Sequence, residues 1–193
     1  YYGIGKKKYQ EEEFHYAIEN LEQSIHHGIA STAEANYMIA ESYRLSNRLG
    51  EAEKYYEAAI LDEIEEENAL FNYAYAMKAN GKYLSAKKQL EKYLKFGTNF
   101  GYLSRAKKEI QNLKELVKIS RRPQLFRVEN CQELNTEGIE YSPVLYKKGS
   151  RYKLYFTSSR GEGVVFPGQG TRFTDLFVLN FDEMGMCSGS VKP

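Results

Sequence analysis

At 193 residues the chain is long enough for one large domain or two small ones with a buried core. Its 27 Lys and Arg nearly balance 26 Asp and Glu, which excludes a uniformly basic nucleic-acid binder and an acidic tail. No apolar run is long enough to span a membrane, two cysteines are too few for a disulfide scaffold, and three histidines lie apart from both cysteines, against a His/Cys zinc site.

The first 120 residues read as helices in a repeat. Residues Ala33–Ile60 and Glu67–Leu94 align at a spacing of 34, so Ala40 falls on Ala74 and Ala52 on Ala86. Within one unit Tyr37, Ala40 and Tyr43, then Ala52, Tyr55, Tyr56 and Ala59, recur three or four residues apart, the period of a buried helical face. Phe71, Ala74 and Met77, then Ala86, Leu90 and Tyr93, do the same in the next. Ser46-Asn47-Arg48 and Asn80-Gly81-Lys82 are the turns inside each pair, and Asn and Gly suit the left-handed end of a helix.

Before these units Phe14, Ala17, Ile18, Leu21 and Ile25 form a second-helix pattern whose first helix is expected to begin at or before Tyr1. After them Leu103, Ala106, Ile110, Leu113 and Val117 predict one more amphipathic helix, capping the open end of the stack.

Ala40, Tyr43, Ala52 and Ala59, with Ala74, Gly81, Tyr83 and Ala86, resemble the tetratricopeptide repeat. Asn36 and Leu70 stand where Trp is common in that family, and Ile64 where Pro often closes the repeat. The resemblance implies an α-solenoid over residues 1–120 whose first helices line an inner surface. Those helices place Glu34, Tyr37, Glu41 and Arg44, then Asn68, Phe71, Tyr75 and Lys78, as partner-binding candidates. Aromatics beside charges suit capture of a protein or peptide; the alternative is that Tyr37 and Phe71 pack between repeats.

Arg121-Arg122-Pro123 ends the helical region, because Pro123 disfavours helix at Arg122. Residues 121–140 read as a linker. Strands are expected at Tyr141–Tyr146, across Tyr152, Leu154 and Phe156, and at Asp175–Phe181, with turns at Lys147–Ser150 and Asp182–Gly185. A fourth short strand is expected near Met186–Ser188.

Tyr141-Ser142-Pro143-Val144, then Leu154–Gly161, then Asp175-Leu176-Phe177-Val178 resemble the repeat of the TolB-type β-propeller. This implies that 141–193 is a first, incomplete blade, with Gly185-Met186-Cys187 in place of the family's closing Gly-x-Trp and further blades expected beyond it. The glycine-rich stretch Gly161–Arg172 is long for a blade hairpin and is expected to be mobile or to meet a partner.

Repeats followed by a propeller, joined through Leu134–Pro143, resemble Bacteroidetes envelope proteins that continue into an OmpA-like domain, such as the PorE-type component of the type IX secretion system. That family implies a periplasmic, outer-membrane-associated scaffold with protein partners. Peptidoglycan would be held by a domain absent from this chain.

Other constellations carry less. His15 and His26 lie about three helical turns apart and cannot share a metal on a straight helix. Asp62–Glu67 lacks the alternating ligands and central Gly of a calcium loop. Gly161-Glu162-Gly163 and Gly168-Gln169-Gly170 lack phosphate-loop spacing. Cys131 and Cys187 are either a disulfide in an oxidising compartment or two free thiols. No catalytic triad or acid–base carboxylate pair is legible, and no cofactor is expected. The expectation is an interaction scaffold rather than an enzyme; the alternatives are a propeller hydrolase with its site in further blades, or a cytosolic co-chaperone-like repeat protein.

The balanced charge is a cancellation. Residues 11–67 hold three basic and fifteen acidic residues, whereas residues 78–122 hold thirteen basic and three acidic ones. Such a split orients partners at long range in low salt.

Overall fold

A helix leaves its last carbonyls without partners, and this chain settles most of its helix ends in one way. In the computed structural model, which describes residues 1–28, 32–123, 130–181 and 190–193, the α-helices are α1 (Tyr2–Gln10), α2 (Phe14–His26), α3 (Thr32–Leu45), α4 (Glu53–Leu61), α5 (Ala69–Ala79), α6 (Tyr83–Phe96) and α7 (Phe100–Ser120). Two residues beyond each of the first five stands a residue with positive φ: Glu12 (60°), Gly28 (65°), Asn47 (60°), Glu63 (58°) and Gly81 (73°).

The residue after the left-handed one then donates back into the helix. Glu13 N–H reaches the Lys8 carbonyl at 3.0 Å, Arg48 reaches Tyr43 at 2.8 Å, Ile64 reaches Ala59 at 3.0 Å and Lys82 reaches Met77 at 2.9 Å. This is a Schellman end. Asn47 and Gly81, and their closing bonds, are 34 residues apart. α6 ends differently, with Gly97 extended, and Asn99 caps α7 by accepting the Tyr102 N–H at 3.2 Å.

Each helix packs on the one before it. Ala40, Ala52 and Ala86 are fully buried and Ala74 nearly so, so the pairs meet at side chains no larger than a methyl group. At the other end of the stack Gly5 does the same job. A Cβ there would sit 2.7 Å from Leu21 Cγ, so only glycine allows α1 this close to α2. On α7, Ala106 and Leu113 are fully buried while Lys107, Lys108, Gln111 and Lys114 are exposed.

Side chains tie the turns together. Glu53, buried at the start of α4, accepts from Lys82 Nζ at 2.7 Å and from Asn80 Nδ2 at 2.7 Å. Burial alone would raise its carboxyl, but these two bonds outweigh it and hold it below the ordinary value. Glu67 accepts from the backbone N–H of Asn99 at 3.1 Å and from the Thr98 N–H and hydroxyl at 2.5 and 2.7 Å. Those bonds lower its carboxyl to about 2.

The chain divides into two compact units, Tyr1–Gln124 and Leu125–Pro193. In the second, β1 (Glu140–Lys148), β2 (Arg151–Ser158) and β3 (Asp175–Phe181) form an antiparallel sheet in that order. β1 runs two residues further than the sequence pattern suggests, through Lys147 and Lys148, because both pair with β2 and the reversal needs only Gly149 and Ser150. Between Tyr141 and Val144 the register slips: three steps on β1 oppose two on β2. The extra residue falls at Ser142-Pro143, where Ser142 takes φ 53°, giving a β-bulge.

One face of the sheet buries Phe156, Phe177 and Leu179, with Leu134, Leu154, Phe181 and Val191 against them. Arg160 lies over the Phe156 and Phe177 rings at 4.9 and 5.4 Å and donates to Ser158 Oγ at 2.9 Å and to the Leu134 carbonyl. Beyond β3, Lys192 exchanges backbone bonds with Val178 at 2.7 and 3.0 Å, so a further stretch of chain runs antiparallel along that edge.

The turn expected at Asp182–Gly185, the strand expected near Met186–Ser188 and Cys187 lie outside the described residues, as does the middle of the 121–140 linker. The Gly161–Arg172 stretch closes on itself: Val165 bridges Arg172, and Phe166 N–H donates to the Thr171 carbonyl at 2.7 Å.

Two measurements check these devices. A Cβ on Gly81 would touch nothing, so Gly81→Ala isolates backbone strain and should cost about 1 kcal/mol in urea unfolding, while Glu63→Gly should stabilise by about 0.5–1 kcal/mol. Glu67 is ionised more readily folded than unfolded, so its stabilisation is present above its ordinary value of 4.5 and is lost as pH falls through about 2. Acid titration of stability should therefore show a loss between those values that Glu67→Gln removes.

Candidate protein-docking surface

Spacings of three, four and three residues put Glu34, Tyr37, Glu41 and Arg44 on one face of α3, and the same spacing joins Asn68, just before α5, to Phe71, Tyr75 and Lys78 on it. Most of these side chains turn out to be held by the protein itself.

Glu41 is 5% exposed. Its carboxylate accepts Arg44 Nε at 3.0 and 3.1 Å and Arg44 Nη2 at 2.5 Å. It also accepts Asn72 Nδ2 at 2.9 Å and the Tyr56 hydroxyl. One buried charge thus joins α3, α4 and α5, paired and fully hydrogen-bonded as burial demands. Burial, and then the Glu41 carboxylate, push the Tyr56 and Tyr37 phenols far up, so both stay neutral. Tyr37 is half-buried and meets the Tyr56 ring edge-on at 6.3 Å. Glu34 accepts the Tyr2 hydroxyl from α1 at 2.5 Å, and that bond raises Tyr2 to about 12.

Phe71 is 2% exposed. Its ring lies 4.7 Å from Tyr75, 4.8 Å from Tyr102 and 5.7 Å from Tyr93. It is a packing residue in this stack, touching α6 and α7. Asn68 accepts the Tyr93 hydroxyl at 3.3 Å. Lys78 pairs with buried Glu109 of α7 at 2.6 Å.

Above the aromatic layer stands Arg105, whose guanidinium is 5.2 Å from the Phe71 ring, 5.8 Å from Tyr75 and 5.5 Å from Tyr102. Tyr75 is half-buried and Arg105 exposed. Together with Lys78 they form the part of this surface that combines an aromatic face with positive charge. Such a combination holds flat or anionic groups of a partner through cation–π and charge-assisted contacts.

Sequence reasoning passed over Asn72, Tyr56, Arg105 and Glu109. Asn72 had a signal, since a lone amide inside Leu70-Phe71-Asn72-Tyr73-Ala74 must find a buried partner. Arg105 and Glu109 had another: they fall 34 residues after Phe71 and Tyr75, in register with the repeat. Tyr56 had none, because its hydroxyl partner depends on the tertiary fold.

Among the described residues no helix is long and apolar enough to cross a membrane, and no group of three His, Cys, Asp or Glu side chains is gathered as for a metal.

Phe71→Ala should lower the unfolding free energy by about 3–5 kcal/mol. Glu41→Ala should lower it by about 3 kcal/mol, through the partners it strands, and Glu41→Gln by less. Tyr75→Ala and Arg105→Ala should stay within about 1 kcal/mol of the parent. Chemical denaturation of the four variants separates the packing residues from the surface ones.

Compared with protein-family models and with curated proteins, the sequence matches none.

Proposed function

We propose that this chain is a non-enzymatic docking scaffold: an α-solenoid of tetratricopeptide type that binds a partner protein, followed by the first blade of a TolB-like propeller. The observation that carries the solenoid reading is the recurrence at 34 residues of buried Ala40 and Ala74, buried Ala52 and Ala86, and left-handed Asn47 and Gly81 with matching closing bonds. Stacked units of this kind bury a continuous core only against one another and need a polar-faced cap, which fits α7 with its buried Ala106 and Leu113 and its outward lysines.

The propeller reading is supported by the sheet's second face. Tyr141, Val144, Tyr146 and Leu176 stand there exposed, opposite the face that buries Phe156 and Leu179. A sheet with two apolar faces suits a blade flanked by neighbours. The envelope assignment, with outer-membrane or secretion-system partners in the periplasm, rests on the module order and on the Tyr141-Ser142-Pro143 junction.

Partner docking is assigned to Tyr75, Lys78 and Arg105, the aromatic and cationic groups that remain accessible. In-cell cross-linking and purification of the parent protein should recover outer-membrane or secretion components. Tyr75→Ala with Arg105→Ala should lose them with the melting temperature unchanged. Recovery of cytosolic chaperones alone would sink the envelope reading, and undiminished recovery by the double variant would sink the site.

A further inference from the structure

Where α4 turns into α5, the end of α6 lies alongside and leaves a groove of about 170 Å³. Its floor is apolar, from Ile60, Ile64, Leu70 and Phe96, and its rim carries Glu65 and Glu66. Phe96 is 67% exposed, an unusual place for a phenylalanine. Both glutamates are exposed, and among the described residues neither carboxylate has a hydrogen bond or ion pair. The volume is below the roughly 300 Å³ of a small-molecule site, but it has room for one aliphatic side chain.

The complementary chemistry is found in this same chain. The end of α7 reads Lys118-Ile119-Ser120-Arg121-Arg122, with Ile119 55% exposed between cations. It cannot reach its own groove. Glu67, beside the groove, holds Thr98 and Asn99 at the start of α7. The helix then runs 21 residues, about 30 Å, away from it. The far end of α7, at Val117, Ser120 and Arg121, instead lies beside Gly81–Ser85 at the opposite end of α6.

We propose that the groove docks Lys118–Arg122 of a second copy, Ile119 filling the apolar floor while Arg121 and Arg122 meet Glu65 and Glu66. The contact joins two different surfaces, so it runs head to tail and leaves a groove and a tail free at the ends. It matches the wider charge split, acidic over residues 11–67 and basic over 78–122. A contact of this size is weak and its charges are solvent-facing, so it is concentration-dependent and weakened by salt.

Sedimentation velocity over a concentration series tests it. At low salt the average mass should rise above the 22.3 kDa monomer, and at high salt it should return there. Glu65→Lys with Glu66→Lys, and separately Arg121→Glu with Arg122→Glu, should each weaken association at least about tenfold. An equimolar mixture of the two double variants should associate again, because each groove then faces a tail of opposite sign. Since both pairs flank helix ends, melting curves are recorded alongside, and Ile119→Asp, at an exposed site, serves where a pair unfolds. A chain that stays monomeric at low salt overturns the proposal. So does self-association that survives the reversals or Ile119→Asp, which would place the contact on another face such as the open side of the sheet.

Discussion

Every helix must dispose of the carbonyls its last turn leaves unbonded, and the helical unit depends on how five helices do so. A left-handed residue two positions past the helix folds the chain back and returns an N–H to the final turn. The reversal sets where the next helix starts. Because the device recurs at nearly constant spacing, equivalent side chains return to equivalent places, and small residues return to the same crossing points. Ala40 and Ala74 are buried alike because the turns at Asn47 and Gly81 are alike.

Charge is used at two levels. Inside the stack, a few acids are paired across helices: Glu41 with Arg44, Glu53 with Lys82, Glu109 with Lys78. Each is nearly buried and bonded, so removing a partner costs more than the pair contributes. Outside, unpaired charge is segregated by sequence position, acidic early and basic late. The first kind specifies which helix meets which. The second acts on whatever approaches, and fades with salt.

The helix pairs were legible because alanines at a 34-residue spacing and an Asn or Gly between them are local signals. The turns at Glu12 and Glu63 were not, since glutamate has no preference for positive φ and only the packed helices on either side hold it there. Of the eight residues named for docking, Phe71 is buried against α6 and α7, and Glu41 is consumed by Arg44, Tyr56 and Asn72. A helical face seen in sequence says which residues share a side, but not whether another helix already covers it. Arg105 illustrates the converse: it belongs to the surface through a helix whose apolar pattern departs from the repeat.

The bulge at Ser142-Pro143 bears on the sheet's behaviour in solution. β1 is an outer strand, and an outer strand with a regular row of free N–H and C=O groups invites a second chain to add to it. Here the row is broken twice, once by a proline with no N–H to offer and once by the left-handed Ser142 that bends the strand. Lys147 and Lys148 add like charge at its far end. The margin of the sheet is thereby kept from nucleating cross-β aggregates, even though its open face is rich in tyrosine and valine.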